Sequence, residues 1–230
     1  MEIPRKDYRL SPWLEGENRS QIERMFTACS AQRVHFSKDS FIYQQDEVTG
    51  FLYFVESGRV RLTITSAEGR TFHVLILKPG CLFGEQAYLD RLPHDTSAEA
   101  IIDTTVQKIP YQSLDSFLEQ EPHYYKTIAH CMASKLLACT QVIDNLVMKN
   151  SHSLVATYLK YIAMAHGEPV TPDKVRFNIR FTHENIASIT NLSRVTVSNI
   201  VGDLMKAGVI IKEGGQLYIS SMSDLDEFIS

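Results

Sequence analysis

The chain has 230 residues, 44% of them hydrophobic and 22% charged, with a formal net charge of −4. That balance describes one large or two ordinary folded domains and excludes a disordered chain or a simple polycation, so any nucleic-acid binding has to come from a local patch. No apolar run approaches the ~18 residues of a membrane span, and the N-terminal stretch MEIPRKDYRLSPWLEGENRS lacks an apolar signal core, so the expected location is the cytoplasm. The four cysteines (Cys29, Cys81, Cys131 and Cys139) show neither CxxC spacing nor a metal-ligand rhythm with histidine. A zinc or iron–sulfur site is therefore not expected.

Residues 33–111 contain short β-branched and aromatic runs: VHFSKDSFIYQ, FLYFVESGRVRLTIT, RTFHVLILKPG and EAIIDTTVQKIPY. Gly50, Gly58, Gly69, Gly80 and Gly84 punctuate them. Many short strands at such spacing predict a small antiparallel barrel or jelly roll. After Pro122 the pattern becomes helical. Ile128, Met132, Leu136, Cys139, Ile143 and Leu146 follow one another at steps of 4, 4, 3, 4 and 3, drawing one apolar stripe along the helix. So long a stripe exceeds what a small barrel covers, and it predicts a two-stranded coiled coil between protomers. Polar Lys149–Ser153 breaks the stripe and marks a hinge. A second helix, SLVATYLKYIAMAH, is expected to end with Gly167 as a left-handed C′ residue.

The segment FTHENIASITNLSRVTVSNIVGDLMKAGVII (181–211) carries the functional signal. Thr182 with Asn185 makes a helix start, and Ile186, Ala187 and Ile189 face inward. Asn191-Leu192 forms a tight turn, and Ser193 caps a second helix from about Arg194 to Ala207 that stops at Gly208. Val197, Ile200, Val201 and Leu204 share its buried side. This is the pattern of a helix-turn-helix, whose second helix enters the major groove N-terminus first. VIIKEGGQLYIS adds a hairpin around Gly214-Gly215, expected to form a wing. The DNA-facing candidates are Thr182, Ser193, Arg194, Val195, Thr196, Ser198 and Asn199. Hydroxyls at a helix N-terminus suit phosphate, and arginine or asparagine reads base edges. Between residues 174 and 206, Lys174, Arg176, Arg180, Arg194 and Lys206 outweigh Glu184 and Asp203, a modest positive excess.

In this order the elements resemble the CRP/FNR superfamily of bacterial transcription regulators. The resemblance rests on FLYFVESGRVRLT (51–63), KPGCLFGE (78–85), AEAIIDTTVQKIP (98–110), the long helix, and above all LSRVTVSNIVGDLMKAGVI. It implies an α+β chain: an N-terminal antiparallel β-roll that senses an effector (1–120), a dimerisation helix with its hinge (121–150), and a C-terminal winged helix-turn-helix (151–230). It also implies a homodimer bound to palindromic double-stranded DNA, RNA polymerase as a partner if the protein activates, and no membrane. The S-R-x-T-V-S-R pattern of the family is met by Ser193, Arg194, Thr196, Val197 and Ser198. Asn199 stands where arginine is usual, and Val195 where glutamate is common. Valine meeting a thymine methyl and asparagine pairing with adenine would give a different half-site.

For the sensor, the resemblance points to Gly84, Glu85, Lys135, Cys139 and Thr140 as effector-binding positions; Phe83 and Tyr88, with Phe54 and Phe72, are candidate apolar walls of the pocket, most of them expected in the core. Cyclic-nucleotide members follow the Gly-Glu turn with an Arg-Ser pair that holds the phosphate. Here that stretch reads Leu92-Pro93-His94-Asp95-Thr96-Ser97, and Arg91 lies several residues early. A small organic or anionic effector is expected instead of cyclic AMP, with Lys135 either an anion partner or a solvated flank residue. Two other switches are open at this stage: haem or NO, with His35, His73, His94, His123 and His130 as the available histidines, and redox chemistry at Cys139. A β-barrel metal enzyme would need an H-x-H cluster with a later glutamate, which the sequence lacks. No cofactor, metal site or catalytic residue is implied.

Overall fold

The computed structural model describes residues 13, 14, 16, 18–179 and 181–229. The N-terminal stretch up to residue 12 and Arg180 thus lie outside the described residues. Contacts gather into two units, Pro12–Thr140 and Gln141–Ser230, divided within the long helix.

The first unit contains β1 (Trp13–Leu14), α1 (Arg19–Ala28), β2 (Gln32–Phe36), β3 (Ser40–Tyr43), β4 (Phe51–Ser57), β5 (Val60–Thr65), β6 (Thr71–Leu77), β7 (Leu82–Phe83), α2 (Glu85–Asp90), β8 (Ser97–Ala100), β9 (Thr104–Pro110), α3 (Tyr111–Gln120) and the start of α4 (Tyr124–Met148). The strands form two sheets, ordered β1-β6-β5-β8-β3 and β2-β9-β4-β7. Neighbours run antiparallel except β1 beside β6. Strand β4 reads as a continuous apolar run because it is covered on both faces: Leu52, Tyr53, Phe54 and Val55 are all buried. Leu52 and Phe54 pack under α1 and α3 with Ile22, Phe26, Leu114 and Leu118, and the first turns of α4 add Ile128 and Cys131. The three helices α1, α2 and α3 have no clear signature in the sequence, because they are short and all three begin without a side-chain cap hydrogen bond.

Gly58 closes the β4–β5 turn at φ +89, and a Cβ there would lie 2.4 Å from the Thr104 hydroxyl and 2.6 Å from the Asp103 carbonyl. Fully buried Thr104 accepts from the Arg59 amide at 3.0 Å and donates to the Ile102 carbonyl at 2.7 Å, so it has no freedom to withdraw. Gly58→Ala therefore destabilises the roll by about 2–4 kcal/mol, combining left-handed backbone strain with the clash. Urea unfolding measures it, and a loss below ~1 kcal/mol would mean that the turn rearranges.

The second unit holds α5 (Ser151–His166), β10 (Gly167–Pro169), β11 (Val175–Phe177), α6 (His183–Thr190), α7 (Arg194–Lys206), β12 (Ile210–Glu213), β13 (Gln216–Ile219) and α8 (Met222–Glu227). Asn150 caps α5 by accepting from the Ser153 amide at 2.9 Å. The break in the helical path is therefore confined to Lys149-Asn150, and Ser151–Ser153 already belong to the next helix. One core joins Leu159 and Ile162 of α5 to Ile186, Val197, Ile200, Leu204, Ile210 and Ile219. The sheet order is β10-β11-β13-β12. Gly167 does end α5, but in extended geometry (φ −87, ψ 160) and not as the left-handed C′ residue that its position predicts. It is needed for space instead: a Cβ would approach the Ala163 carbonyl oxygen to 2.2 Å. No helix among the described residues is long and apolar enough to cross a membrane.

Candidate DNA-binding interface and effector cavity

The helix pair of the second unit is built by local chemistry. The Thr182 hydroxyl accepts from the Asn185 backbone amide at 3.1 Å while the Asn185 side-chain Oδ1 accepts from the Thr182 backbone amide at 2.9 Å, a reciprocal capping box that starts α6. Asn191 adopts φ 54 and ends the helix; asparagine tolerates the left-handed region better than most side chains. Ser193 then caps α7, accepting from the Thr196 amide at 3.0 Å, with the two hydroxyls 2.8 Å apart. Gly208, at φ +74, lets the chain turn into β12.

The expected inward residues Val197, Ile200, Val201 and Leu204 are all buried, and Arg194, Val195, Ser198 and Asn199 are exposed on the N-terminal half of α7. Val195 is 69% exposed and takes no part in the core of its unit. Ser193 and Thr182 are also exposed, but their hydroxyls act as caps, and half-buried Thr196 completes the Ser193 pair. The Glu213↔Gln216 closure of β12 on β13 runs through Gly214 and Gly215 at φ 56 and 81, a tight hairpin.

The positive excess around this motif is smaller in space than in sequence. Lys174 is paired with Glu213 at 2.9 Å, Lys206 with Asp203 at 3.0 Å, and Arg176 with Glu168. Among the described residues Arg194 has no such carboxylate partner, so it carries the open charge on the face that α7 presents.

In the first unit a cavity of about 390 Å³ opens between the roll and α4. Leu62, Val74, Leu75, Met132 and Leu136 supply apolar wall, and Tyr43, Glu85, His94, Asp95, Thr96, Lys135 and Cys139 supply the polar groups. Gly84, at φ +82, begins α2 and brings Glu85 inward. Both carboxylate oxygens of Glu85 accept from the Lys135 ammonium, at 2.6 and 2.7 Å, and the two side chains are only 6% and 14% exposed. Lys135 is thus neither a solvated flank residue nor an open anion receptor. Its charge is closed by a residue of the roll.

His94 stacks on Tyr43 with ring centroids 3.7 Å apart and an interplanar angle of 10°, and its Nε2 lies 2.8 Å from the Thr49 hydroxyl. Burial lowers the His94 pKa, which keeps the ring neutral at neutral pH. Burial also raises the Cys139 thiol pKa, partly opposed by Lys135, so the thiol stays protonated and slow to oxidise.

Several predicted effector residues lie elsewhere. Phe83 is fully buried against Tyr53 and Tyr43, and Phe54 packs against Phe26 with the rings tilted by 44°. Tyr88 points into the helix-covered side of the roll, where its hydroxyl donates to Asp115 at 2.6 Å. The Thr140 hydroxyl is spent on the Leu136 carbonyl of its own helix at 2.9 Å. Phe72 is not among the lining residues either.

The histidines are scattered. His35 and His123 are exposed, His130 is exposed on α4, and His73 is half-buried with its pKa pushed down to about 4 by burial and by Arg61. Among the described residues no three His, Cys, Asp or Glu side chains gather as a metal site.

The sequence pointed to Gly84, Glu85, Lys135 and Cys139 in the cavity and to Asp95 at its phosphate position, but not to Tyr43, Met132 or Leu136. For Met132 and Leu136 a signal existed. They stand within one turn of Lys135 or Cys139 on α4, so the same helical period that puts them on the apolar stripe also brings them to the cavity. The Tyr43–His94 stack joins distant strands and has no local signature.

The dimer stripe is mixed. Leu136 is 70% and Ile143 60% exposed, Met132 and Leu146 are also exposed, and Cys139 faces the cavity. Ile128 is a correction: at 1% exposure it belongs to the roll core, because the first turns of α4 pack on the same cluster as α1 and α3.

Two family models match in series: a cyclic nucleotide-binding domain over residues 33–121 and a Crp-like helix-turn-helix domain over residues 155–228. The chain belongs to the CRP/FNR superfamily. Among curated relatives, the cyclic AMP receptor protein of Thermus thermophilus is 28% identical over 197 residues, covering 85% of this chain and 87% of the relative. The global nitrogen regulator of Synechocystis sp. is 23% identical over 177 residues, covering 76% and 78%. The fold is shared with a CooA mutant from Carboxydothermus hydrogenoformans, at TM-score 0.75 and 21% identity over 96% of this chain and 99% of the other.

As a CRP/FNR regulator the protein is a transcription factor with a helix-turn-helix DNA-binding domain, not an enzyme, and double-stranded DNA is its partner. Its roll departs from the cyclic-nucleotide pattern at the phosphate. Arg91, the nearest arginine in sequence, is held by both oxygens of Asp115 at 2.7 and 2.8 Å and lies over the Tyr88 and Tyr111 rings.

Proposed function

We propose that this CRP/FNR protein acts as a homodimer in the cytoplasm, where it reads a palindromic promoter site and is switched by a small organic molecule, other than a cyclic nucleotide, in the cavity beside α4. The observation that carries the reading is the exposed N-terminal face of α7, where Arg194, Val195, Ser198 and Asn199 stand clear of their own core. The exposed Leu136 and Ile143 on a 25-residue helix support the dimer, since a helix that long shows its apolar side to a partner or to water. Two copies of α7 then address successive major grooves about 34 Å apart. If the outcome is activation, RNA polymerase is the further partner.

The closed Lys135–Glu85 pair and the exposed Asp95 argue against a cyclic phosphate, which would meet a carboxylate and no open cation. In the half-site, Val195 suits a thymine methyl and Asn199 suits adenine.

Selection of binding sites from a random duplex pool, followed by gel-shift titration, tests the reading. Recovery of unrelated, non-palindromic sequences would sink it. Arg194→Ala is expected to weaken binding about 5- to 150-fold, with a smaller salt slope if Arg194 meets phosphate and relaxed base preference if it meets a base. Unchanged affinity would remove Arg194 from the interface.

A further inference from the structure

The geometry points to a cationic amphiphile as the molecule the cavity selects, one with an ammonium or similar donor group on a compact apolar body, and to organic anions as molecules it disfavours. This rests on the reading of the cavity as the effector site and adds its charge class. The cavity holds three charged side chains, Glu85, Asp95 and Lys135, beside a buried histidine. Lys135 and Glu85 cancel each other through two short contacts, and both are too buried to exchange partners cheaply. An anion that took Lys135 would leave the Glu85 carboxylate desolvated and unpaired, and it would sit beside a second carboxylate at Asp95.

Asp95 is the uncompensated charge. It is exposed at the cavity, and among the described residues no lysine or arginine pairs with it. Its field reaches across the lining: it opposes ionisation of the Tyr43 hydroxyl and of the Cys139 thiol, and it favours protonation of His94. Desolvation outweighs that last effect, so His94 contributes no positive charge to offset Asp95. In the same lining, Leu62, Val74, Leu75, Met132 and Leu136 offer a surface for an apolar body, and about 390 Å³ accommodates a small ligand. A donor group at Asp95 and an apolar body against Met132 and Leu136 would engage α4 directly, which is how occupancy would reach the dimer helix.

The test uses three probes of one size and different charge (phenethylamine, phenethyl alcohol and hydrocinnamate) in thermal-shift and calorimetric titrations of the full-length protein at neutral pH. The amine is expected to bind tighter than the alcohol by roughly three- to fivefold, and the carboxylate weakest. Asp95→Asn is expected to reduce the amine to the level of the alcohol; its exposed position makes the substitution compatible with folding. Glu85→Gln frees Lys135 while keeping the side-chain shape, and is expected to raise the affinity for hydrocinnamate above that of the alcohol.

A carboxylate that binds the unmodified protein better than the amine overturns the proposal. So does an amine unaffected by Asp95→Asn, or the absence of binding by all three probes. A gel shift on the same preparations keeps the outcomes separate, since DNA binding with no probe binding leaves the regulator reading standing and removes only this one.

Discussion

Replacing Leu136 and Ile143 together by glutamate is expected to convert the protein to a monomer and to lower its affinity for a palindromic site by about 10²–10³-fold. The two side chains are among the most exposed apolar groups of α4, and neither is needed by the core of its own unit. Their replacement leaves the fold intact while placing four carboxylates in the seam of the dimer, where like charges and desolvation act together. Each α7 still recognises its half-site, but the second half-site is no longer bound at the high effective concentration that linkage supplies, which is worth two or more orders of magnitude. Light scattering reads the mass and a gel shift reads the affinity. A double variant that remains dimeric would place the interface elsewhere on the chain. Ile128→Glu is a useful contrast, because it buries a charge in the roll core and is expected to unfold the first unit.

Removing Glu85 alone has the second large effect. Glu85→Ala leaves the Lys135 ammonium in a site where it is only 14% exposed, with its bidentate partner gone. Loss of one member of a buried pair destabilises by about 3–5 kcal/mol, chiefly through the charge that stays behind. Glu85→Ala combined with Lys135→Met is expected to recover most of that loss, since no ion is then left unpaired and methionine refills the volume of the lysine stem. Chemical denaturation of the two variants and of Lys135→Met completes a double-mutant cycle. A coupling near zero would show that the pair contributes nothing to the first unit and would weaken the case that Lys135 is unavailable to an anion.

These two experiments probe features of different origin. The helix-turn-helix was legible because its signals are local. A capping box between Thr182 and Asn185, a left-handed asparagine at 191, a serine cap at 193 and a helical apolar period through Leu204 each act within four residues, so short-range chemistry specifies them before any tertiary contact forms. The wing was legible for the same reason, because adjacent glycines at 214 and 215 dictate the hairpin. The strands of the roll showed in their β-branched runs. Helices α1, α2 and α3 did not, being short segments held by tertiary packing on the sheet.

The cavity beside α4 lay beyond local rules. Gly84, Glu85 and Lys135 were visible as residues, but not their closure into an ion pair that spends the one cavity cation expected to receive an anion. Nor was it visible that Tyr43, from a distant strand, stacks on His94 at the cavity. Likewise the net charge of the DNA-binding segment counted Lys174, Arg176 and Lys206 as open when each has an acidic partner brought by folding. By itself the sequence determined the class of protein, its order of elements and its helix-turn-helix, since these follow from period, caps and turns. Only the tertiary structure decided which charges remain unpaired and which side chains share a cavity, because both depend on distances between segments far apart in the chain.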